Sequence, residues 1–600
     1  MVAVGGQKVR GAMDMRQTSP RGHPWAMNAL SRTLVVLMLT VMVGVASGPA
    51  FAQRKSGSDD QVRFALSFDD TNLTPYTYLT YQNLTLVWDT LFWHDLDNNV
   101  VPWMVKSFDV SDDGITWDLT LHEGLKWHDG VPVTAKDVKF TFDYVKQREH
   151  GRWTGEVANV ASVETEGELD VTIVLSEPSA TFAFQPLADL PIMPKHIFEE
   201  IENPEGATEA LPVGSGPFRV VQYTPGQAYR LQAVDDYFKG PPAVSEIVAP
   251  IIDDASAMFL ALKAGDVDAT YRSVPPGQIG EFEGRGFKIA RGTGYGTFRL
   301  LFNLGRPGPS VQEVRQAVAL AVDQQELVDT VLNGFGTPGN PGFVHPASEW
   351  ANPDLEADHD PEAARALLDD AGIVDSDGDG VREADGTPLS FEVLVYSSEP
   401  DRVRAGELMA EMVADVGIEL TVQPLEFETV DDRVDRGDYE LAILWLTPPF
   451  QTDPDSLRRL FASDGDLNRM GYANPEFDAL AAEQRIQVDE DKRRAMVLEM
   501  QEMLAEDVPT LVFYHSDLLY PYRPTAISEW AFTKGVGIYD KTALLESVSA
   551  AESVPTDVSG RDEGGGAAGG VVAVVVALLV ALAVGGGALA WRRAKSSAEQ

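Results

Sequence analysis

The stretch WDLTLHEGLKWHDGVPVTAKDVKFTFDYV, residues 117–145, combines the two local signals on which the fold depends. Asp129 and Gly130 form a turn signal, because aspartate bonds its own backbone in turns and glycine accepts positive φ. Apolar residues with helical periodicity follow from Ala135 to Val145. His122 and His128 are six residues apart with no third ligand nearby, so an ordinary strand or loop position is favoured over a metal site.

Strand-like and helix-like segments alternate on both sides of this stretch. Strand patterns occur at Gln61–Ser67, Val171–Leu175, Ile247–Ile252, Phe391–Val395, Ile418–Val422 and Leu441–Leu446, and helical patterns at 256–264, 311–332, 361–371, 403–416 and 489–505. This alternation predicts an α/β fold. No low-complexity break interrupts residues 61–548, but that length exceeds one compact unit, so two lobes are the simplest arrangement.

An apolar segment near the N-terminus, Thr33–Ala46, has the length and setting of a secretory signal peptide. A basic residue precedes it and the small-residue site Ala50-Phe51-Ala52 follows, which predicts cleavage after Ala52. Residues 1–52 are then the signal peptide, with Met27 as an alternative start, and residues 53–60 are a polar leader. A retained membrane anchor is the alternative interpretation.

A second apolar segment, Val571–Trp591, is long enough to cross a bilayer. Its 21 uncharged residues would span about 31 Å as a helix, against a hydrocarbon core of about 30 Å. Basic residues open the tail, 592–600, and favour the cytoplasmic side, while residues 550–570 read as a flexible stalk. The sequence thus predicts a single-pass protein of the cell membrane whose ectodomain is extracellular or periplasmic. A buried core helix is the alternative.

The composition narrows the class of partner and of chemistry. The 47 basic and 92 acidic residues give a formal charge of −45, and such a surface repels the phosphates of nucleic acids. The chain has no cysteine, so an exported protein of this size is stabilised by its core without disulfides. We find no nucleophile elbow, HExxH pair or P-loop, and GTGYG at 292–296 favours a strand turn over a phosphate loop. No catalytic residue is predicted, and an exported hydrolase is disfavoured.

One motif resembles a metal site. Asp375, Asp377 and Asp379, followed by a glycine, match the first half of a calcium-binding loop. The twelfth position is Gly386 instead of glutamate, and Glu383 would substitute only along a different loop path. The sequence favours a polar turn before the strand at Phe391, with a structural calcium held by these residues as the alternative, and predicts no other cofactor.

Several short motifs follow one another along the chain. In order they are 117–145, 211–220 (LPVGSGPFRV), 236–240 (DYFKG), 264–268 (AGDVD), 300–303 (LLFN), 314–317 (VRQA), 468–478 (NRMGYANPEFD) and 502–509 (EMLAEDVP). Any one motif alone is weak, but their common order is specific. Together they resemble the motifs of the family 5 extracellular solute-binding proteins of ABC importers, the oligopeptide- and dipeptide-binding type, and the similarity covers about residues 62–525.

The resemblance implies a two-lobed, type II periplasmic-binding-protein fold. Lobe I would be residues 61–302 with an inserted subdomain at about 85–210, lobe II would be residues 303–514, and residues 515–549 would return to lobe I. Ligand would bind between the lobes and be enclosed by hinge closure. The implied partners are ABC permease subunits with a cytoplasmic ATPase, and the protein would act as a monomer that makes and breaks no covalent bond.

The sequence says less about which ligand is bound than it does about the fold. In peptide-binding members, an Asp shortly after a Trp-bearing strand pairs with the α-amino group of the peptide. Here Thr447 and Pro448 follow that strand, and Asp453 matches a later position of the family. Without the earlier carboxylate an α-ammonium loses a charge-assisted bond of about 1.5–3 kcal/mol. Longer peptides, modified peptides and oligosaccharides are therefore alternatives to short free peptides as the ligand of this protein.

Aromatic residues near strand ends are the candidate ligand contacts, because they offer large apolar faces. The candidates are Trp445, Phe450, Tyr295, Tyr76, Tyr78 and Tyr81, with Asp453 as a polar contact. Core packing is the alternative for each, and sequons at Asn72 and Asn83 permit glycans beside the early tyrosines. The predicted function is a tethered receptor that delivers oligopeptide-like solutes to a permease, with an oligosaccharide receptor or a non-transporting sensor as alternatives.

Overall fold

The computed structural model describes residues 60–69, 73–76, 85–148, 150–151, 153–204, 211–446 and 453–550. The chain divides into two compact units, Met1–Ser58 and Asp59–Gln600, and every described residue belongs to the second. The predicted signal peptide, transmembrane helix and basic tail lie outside the described residues, as do nearly all of the leader and stalk, the two sequon asparagines, Phe450, Tyr78 and Tyr81. Within the described ranges, no helix has the length and apolar character needed to cross a bilayer.

The strands follow the chain from the first described residues to the last. In chain order they are β1 Gln61–Ala65, β2 Phe92–His94, β3 Val100–Pro102, β4 Val105–Val110, β5 Thr116–Leu121, β6 Val160–Glu166, β7 Asp170–Leu175, β8 Phe218–Thr224, β9 Ala228–Ala233, β10 Glu246–Pro250, β11 Ala269–Thr270, β12 Lys288–Phe302, β13 Gly336–Pro338, β14 Glu383–Ala384, β15 Thr387–Pro388, β16 Ser390–Tyr396, β17 Glu419–Leu425, β18 Leu441–Leu446, β19 Thr510–Tyr522, β20 Ile527–Glu529 and β21 Val548–Ser549.

The α-helices alternate with these strands through most of the chain. They are α1 Ala135–Gln147, α2 Trp153–Glu156, α3 Lys195–Phe198, α4 Ala255–Ala264, α5 Ile279–Gly284, α6 Gln312–Ala321, α7 Gln324–Val331, α8 Pro361–Asp370, α9 Pro400–Ala414, α10 Phe427–Asp435, α11 Asp455–Phe461, α12 Pro475–Ile486, α13 Glu490–Asp507 and α14 Lys541–Glu546. The helical pattern predicted over 311–332 forms two helices, because Asp323 caps α7 by accepting a hydrogen bond from the Glu326 amide.

The first half of the molecule contains a five-stranded sheet, in the order β11-β1-β10-β9-β8, and a four-stranded sheet, β4-β5-β7-β6. The two sheets share one apolar core, which includes Phe64 of β1 and Leu119 of β5. The chain returns to this core near its C-terminal end, where Tyr539 stacks on Phe64 with ring centroids 4.3 Å apart.

The motif at 117–145 forms β5, a turn and α1, as its signals predict. Thr134 caps α1, and its own amide donates to the Asp137 carboxylate in a capping box. His128 joins this motif to the later Gly-rich one: its Nδ1 accepts from the Gly214 amide at 3.2 Å and its Nε2 donates to the Gly216 carbonyl at 3.0 Å. Both ring nitrogens are therefore used in holding the frame.

The second half is built on a six-stranded sheet in the order β13-β19-β12-β18-β16-β17. Apolar side chains on its two faces enter different cores, as the alternation of a strand requires. Leu300 and Phe302 pack into one core, with α6 to α9, and Leu301 packs into the other. The sheet is thus covered on both faces.

Two long antiparallel strands, β12 and β19, connect the halves. At one end, Ala290 and Tyr520 belong to the core of the first half, and at the other end Leu300 and Leu511 belong to a core of the second half. The molecule is therefore a two-lobed α/β protein whose halves are joined by crossing strands.

Candidate functional site

The crossing strands lose their regular pairing where they pass from one half to the other. Thr293 pairs with Asp517 and Thr297 with His515, so three residues of β12 lie opposite one residue of β19. Such a bulge bends a strand and redirects its side chains. The glycines of the GTGYG motif permit close packing here: a Cβ on Gly296 would lie 2.5 Å from Nε1 of Trp445, and one on Gly292 2.2 Å from the Phe532 ring. The sequence favours a strand turn for this motif, but the motif lies inside β12, at the bulge.

Tyr295, at the centre of this bulge, lines a cavity of about 350 Å³ between the two halves. The first half contributes the turn 97–99 and Lys534, and the second half contributes residues 347–350. The Lys534 ammonium bonds the Asp97 carboxylate at 2.8 Å, and this hydrogen bond raises the pKa of Lys534. The cavity combines one ammonium, the carboxylates of Asp97 and Glu349, two asparagines and two aromatic rings.

Two buried histidines lie behind Tyr295. The ring of His345 meets the ring of Tyr295 edge-on at 5.1 Å, and it lies 4.3 Å from the ring of His515. Burial lowers the pKa of His345 to about 4 and lowers the pKa of His515 as well, while burial raises the pKa of Tyr295. All three side chains are therefore neutral at pH 7, and the buried Nε2 of His515 has no hydrogen-bond partner among the described residues.

An arginine connects the wall of this cavity to the opposite half. Arg493 of α13 lies 5.1 Å from the centre of the Trp350 ring and bonds Asp453 through two nitrogens, at 2.7 and 3.2 Å. Its Nη1 also donates to the carbonyl of Ala180, in the first half, at 3.3 Å. The buried guanidinium thus contacts a ring of the cavity and both halves at once.

Trp445, on β18, packs beside Gly296 of this bulge but does not line the cavity. Its side chain is 43% exposed, stacks on Phe298 with centroids 6.2 Å apart, and has the Arg402 guanidinium 5.9 Å from its ring centre. A large, partly exposed ring supported from behind is a suitable platform for a ligand.

The remaining predicted residues are placed elsewhere. Tyr76 is 2% exposed and packs edge-on against Tyr144 and Trp153 in the first half. The carboxylate of Asp453 is occupied by Arg493. None of these positions is tested by a bound ligand, so the contact assignments stay predictions.

Sequence reasoning did not select Trp350, Glu349, Asp97 or Lys534. They come from loops without apolar periodicity and are separated by up to several hundred residues, so no local pattern marks them as neighbours. A lone tryptophan in a Pro-, Asn- and Asp-rich loop, as at Trp350, was the one available signal.

The predicted calcium residues do cluster. Carboxylate oxygens of Asp375, Asp377, Asp379 and Glu383 lie within 4.8 Å of one another, on an exposed loop. Glu383 takes part because the loop folds back, and its carboxylate also accepts bonds from Ser376. Calcium at this loop remains a prediction, because exposed acidic clusters are common without a metal.

A family model described as bacterial extracellular solute-binding proteins, family 5 (middle part), matches residues 99–468. The oligopeptide-binding protein AppA of Bacillus subtilis is 27% identical over 444 residues, which are 72% of this chain and 80% of the relative.

Solved structures share the fold across nearly their whole length. AppA of Bacillus subtilis, in complex with a nonapeptide, aligns with a TM-score of 0.63 and 24% identity over 82% of this chain and 100% of that one. NikA of Brucella suis, in complex with Fe(III)-EDTA, aligns with a TM-score of 0.71 and 22% identity over 82% and 99%. At these identities the likeness establishes the two-lobed fold.

Proposed function

The chain belongs to the bacterial extracellular solute-binding proteins of family 5, and we propose that it is the membrane-tethered receptor of an ABC importer for oligopeptide-like solutes. The observation that carries this proposal is the cavity at the bulge of the crossing strands, to which both halves contribute residues. A ligand that contacts both halves favours the closed arrangement over the open one. A permease would then recognise the closed surface.

The lining of the cavity supports a peptide-like ligand. Peptide groups need donors and acceptors, which Asn98, Asn99 and Ser348 supply, and side chains need apolar surface, which Tyr295 and Trp350 supply. Its volume of about 350 Å³ is near the lower end of the range of about 300–1,000 Å³ for small-molecule sites. A longer peptide would extend from this cavity along the exposed face of Trp445.

Glu349, in this cavity, can replace the carboxylate that is missing after the Trp-bearing strand. Glu349 is exposed and belongs to the second half, while Asp97 already pairs with Lys534. We propose that Glu349 pairs with the ammonium of the solute, and that peptides whose amino group is blocked bind less tightly for this reason.

Tethering rests on the two terminal apolar segments of the sequence. We propose that cleavage after Ala52 exports the folded body, and that Val571–Trp591 anchors it with the basic tail inside. Protease added to spheroplasts, from which any outer membrane has been opened, should then remove the body and leave the tail protected. Protection of the body would contradict export.

The identity of the solute can be tested by purifying the full chain from membranes, denaturing it and identifying the released small molecules by mass spectrometry. We expect peptides as the main class, and a synthetic copy of the released peptide should bind with lower affinity to Trp445→Ala, by about tenfold or 1.4 kcal/mol. Phe108→Ala, which removes a comparably exposed ring on β4 of the first half, serves as the control and should bind normally.

Two outcomes would contradict the proposal. Release of oligosaccharides would favour the oligosaccharide receptor, and turnover of peptide during incubation would indicate an enzyme. Unchanged affinity in Trp445→Ala would remove that residue from the binding surface.

A further inference from the structure

A second cavity, of about 580 Å³, opens in the second half and shares no lining residue with the cavity between the halves. It lies between α6, α8 and the first residues of β19. Most of its wall is apolar, with Ala319, Leu320, Pro341, Leu367, Leu511 and Val512 among the lining residues. Its volume and lining are those of a small-molecule site, in which apolar walls surround a few polar groups.

Gln324, the first residue of α7, is the polar group of this wall. It lines the cavity, and only 6% of the residue is exposed. Two other polar residues of the wall are already bonded: Gln316 donates to the carbonyl of Glu506, and Thr510 donates to that of Leu300. The amide of Gln324 offers a ligand in the cavity one acceptor oxygen and one NH2 donor.

The rim determines which charge such a ligand can carry. Glu356 and Asp358 line the cavity on an exposed segment, and the chain as a whole has a formal charge of −45. Two carboxylates at the entrance repel an anionic head group and attract an ammonium. A carboxylate head would also offer only acceptors, and would leave the amide oxygen of Gln324 without a donor.

We propose that this cavity is a binding site for a molecule with an apolar body and one non-anionic, hydrogen-bond-donating head, an ammonium or a hydroxyl. The body packs against the alanine and leucine side chains of α6 and α8. The head donates to the amide oxygen of Gln324 and lies on the side of Glu356 and Asp358. This site is independent of solute binding between the halves.

The test uses the full chain in lipid nanodiscs and a decylamine derivative that carries a photoreactive diazirine at its apolar end. After irradiation, peptide mapping by mass spectrometry should find saturable labelling within residues 316–324, 356–367 and 505–512. Ala319→Trp fills the cavity and should lower this labelling about tenfold. Ala414→Trp, on an exposed position of α9 away from the cavity, is the matched control and should label like the wild type.

Two further measurements separate the roles of the amide and the rim. Gln324→Leu keeps the size of the side chain and should weaken labelling at least fivefold, even if Ala319→Trp folds poorly. Unlabelled decylamine and decanol should each compete better than decanoate. Labelling that does not saturate, that persists in both variants, or that decanoate displaces best would overturn the proposal.

Discussion

Buried charged side chains bond different sets of partners inside the first half and at the boundary between the halves. Inside the first half, Asp89 and Lys541 form an ion pair at 3.0 Å, with side chains 1% and 0% exposed. The same oxygen of Asp89 accepts from the ring nitrogen of Trp103 and the hydroxyl of Tyr237, and the Lys541 ammonium lies 4.0 Å from the centre of the Trp93 ring. All these aromatic partners belong to the first half.

At the boundary, Arg493 divides its bonds between the halves. Asp453 and Gln484 bind it from its own half, and the carbonyl of Ala180 binds it from the other. Its interaction energy therefore depends on the separation of the halves, whereas that of the Asp89 pair does not. In the first half, the buried ion pair of Asp89 and Lys541 attaches the C-terminal segment to its core. At the boundary, the bonds of Arg493 link the wall of the cavity to hinge motion.

The largest effect should follow from breaking the pair inside the first half. Lys541→Met leaves Asp89 buried without its cation, and should lower the free energy of unfolding by about 3–5 kcal/mol. Guanidinium denaturation measures the loss. Lys534→Met, which removes an exposed partner of Asp97, should cost less than about 1 kcal/mol. Equal losses in the two variants would show that burial does not decide how much each of these ion pairs contributes to stability.

The next effect concerns the histidines at the boundary and depends on pH. Burial holds the pKa of His345 at about 4 against an ordinary value of 6.5, so the unfolded chain binds this proton more tightly. The corresponding stability is complete above pH 6.5 and is lost as the pH falls toward 4, by about 3 kcal/mol. Unfolding midpoints at several pH values should show a shallower decline in His345→Gln than in the wild type.

The pH dependence of stability also tests the packing at the boundary between the halves, because the groups around His345 lie there. Tyr295 and His515 face its ring, and the charge of Lys534 opposes its protonation further. His359 is exposed, so His359→Gln should follow the wild-type profile. If the unfolding midpoints of His345→Gln depend on pH in the same way as those of the wild type, His345 is not buried as a neutral group.

Local sequence signals predicted many of the helices and strands, but not the contacts at the boundary between the two halves. The helix at 135–145 was predictable because periodicity and a capping residue lie within a few turns of each other. The full length of β12 was not predictable in this way. Only residues 300–303 have a strand pattern, because the bulge interrupts the pattern before them. Asp453 could be selected from its motif, but its neutralisation by Arg493 depends on a residue 40 positions away.

A smaller effect is expected from weakening the shared arginine. Arg493→Lys keeps the charge but cannot bond Asp453 through two nitrogens while reaching Ala180. We expect the ratio of open to closed molecules to rise about tenfold, or 1.4 kcal/mol. Because the chain has no cysteine, spin labels on Glu123→Cys and Asp432→Cys can report the distance between the halves. Arg494→Lys, whose neighbour Glu349 lies in its own half, is the control.

The smallest effect should come from the exposed part of the same boundary. Arg485 and Glu177 pair across the halves at 3.0 Å, with side chains 46% and 53% exposed, and the amide of Ala180 donates to the Arg485 carbonyl beside them. An exposed ion pair contributes about 0.2–1 kcal/mol and is screened by salt. A double-mutant cycle of Arg485→Gln and Glu177→Gln, read from the same spin-label distances, should give a coupling in this range that vanishes in 1 M salt. The backbone bond survives both substitutions, so the closed form should persist in the double variant. A coupling as large as the effect of Arg493→Lys would mean that the exposed pair, and not the buried arginine, holds the halves together.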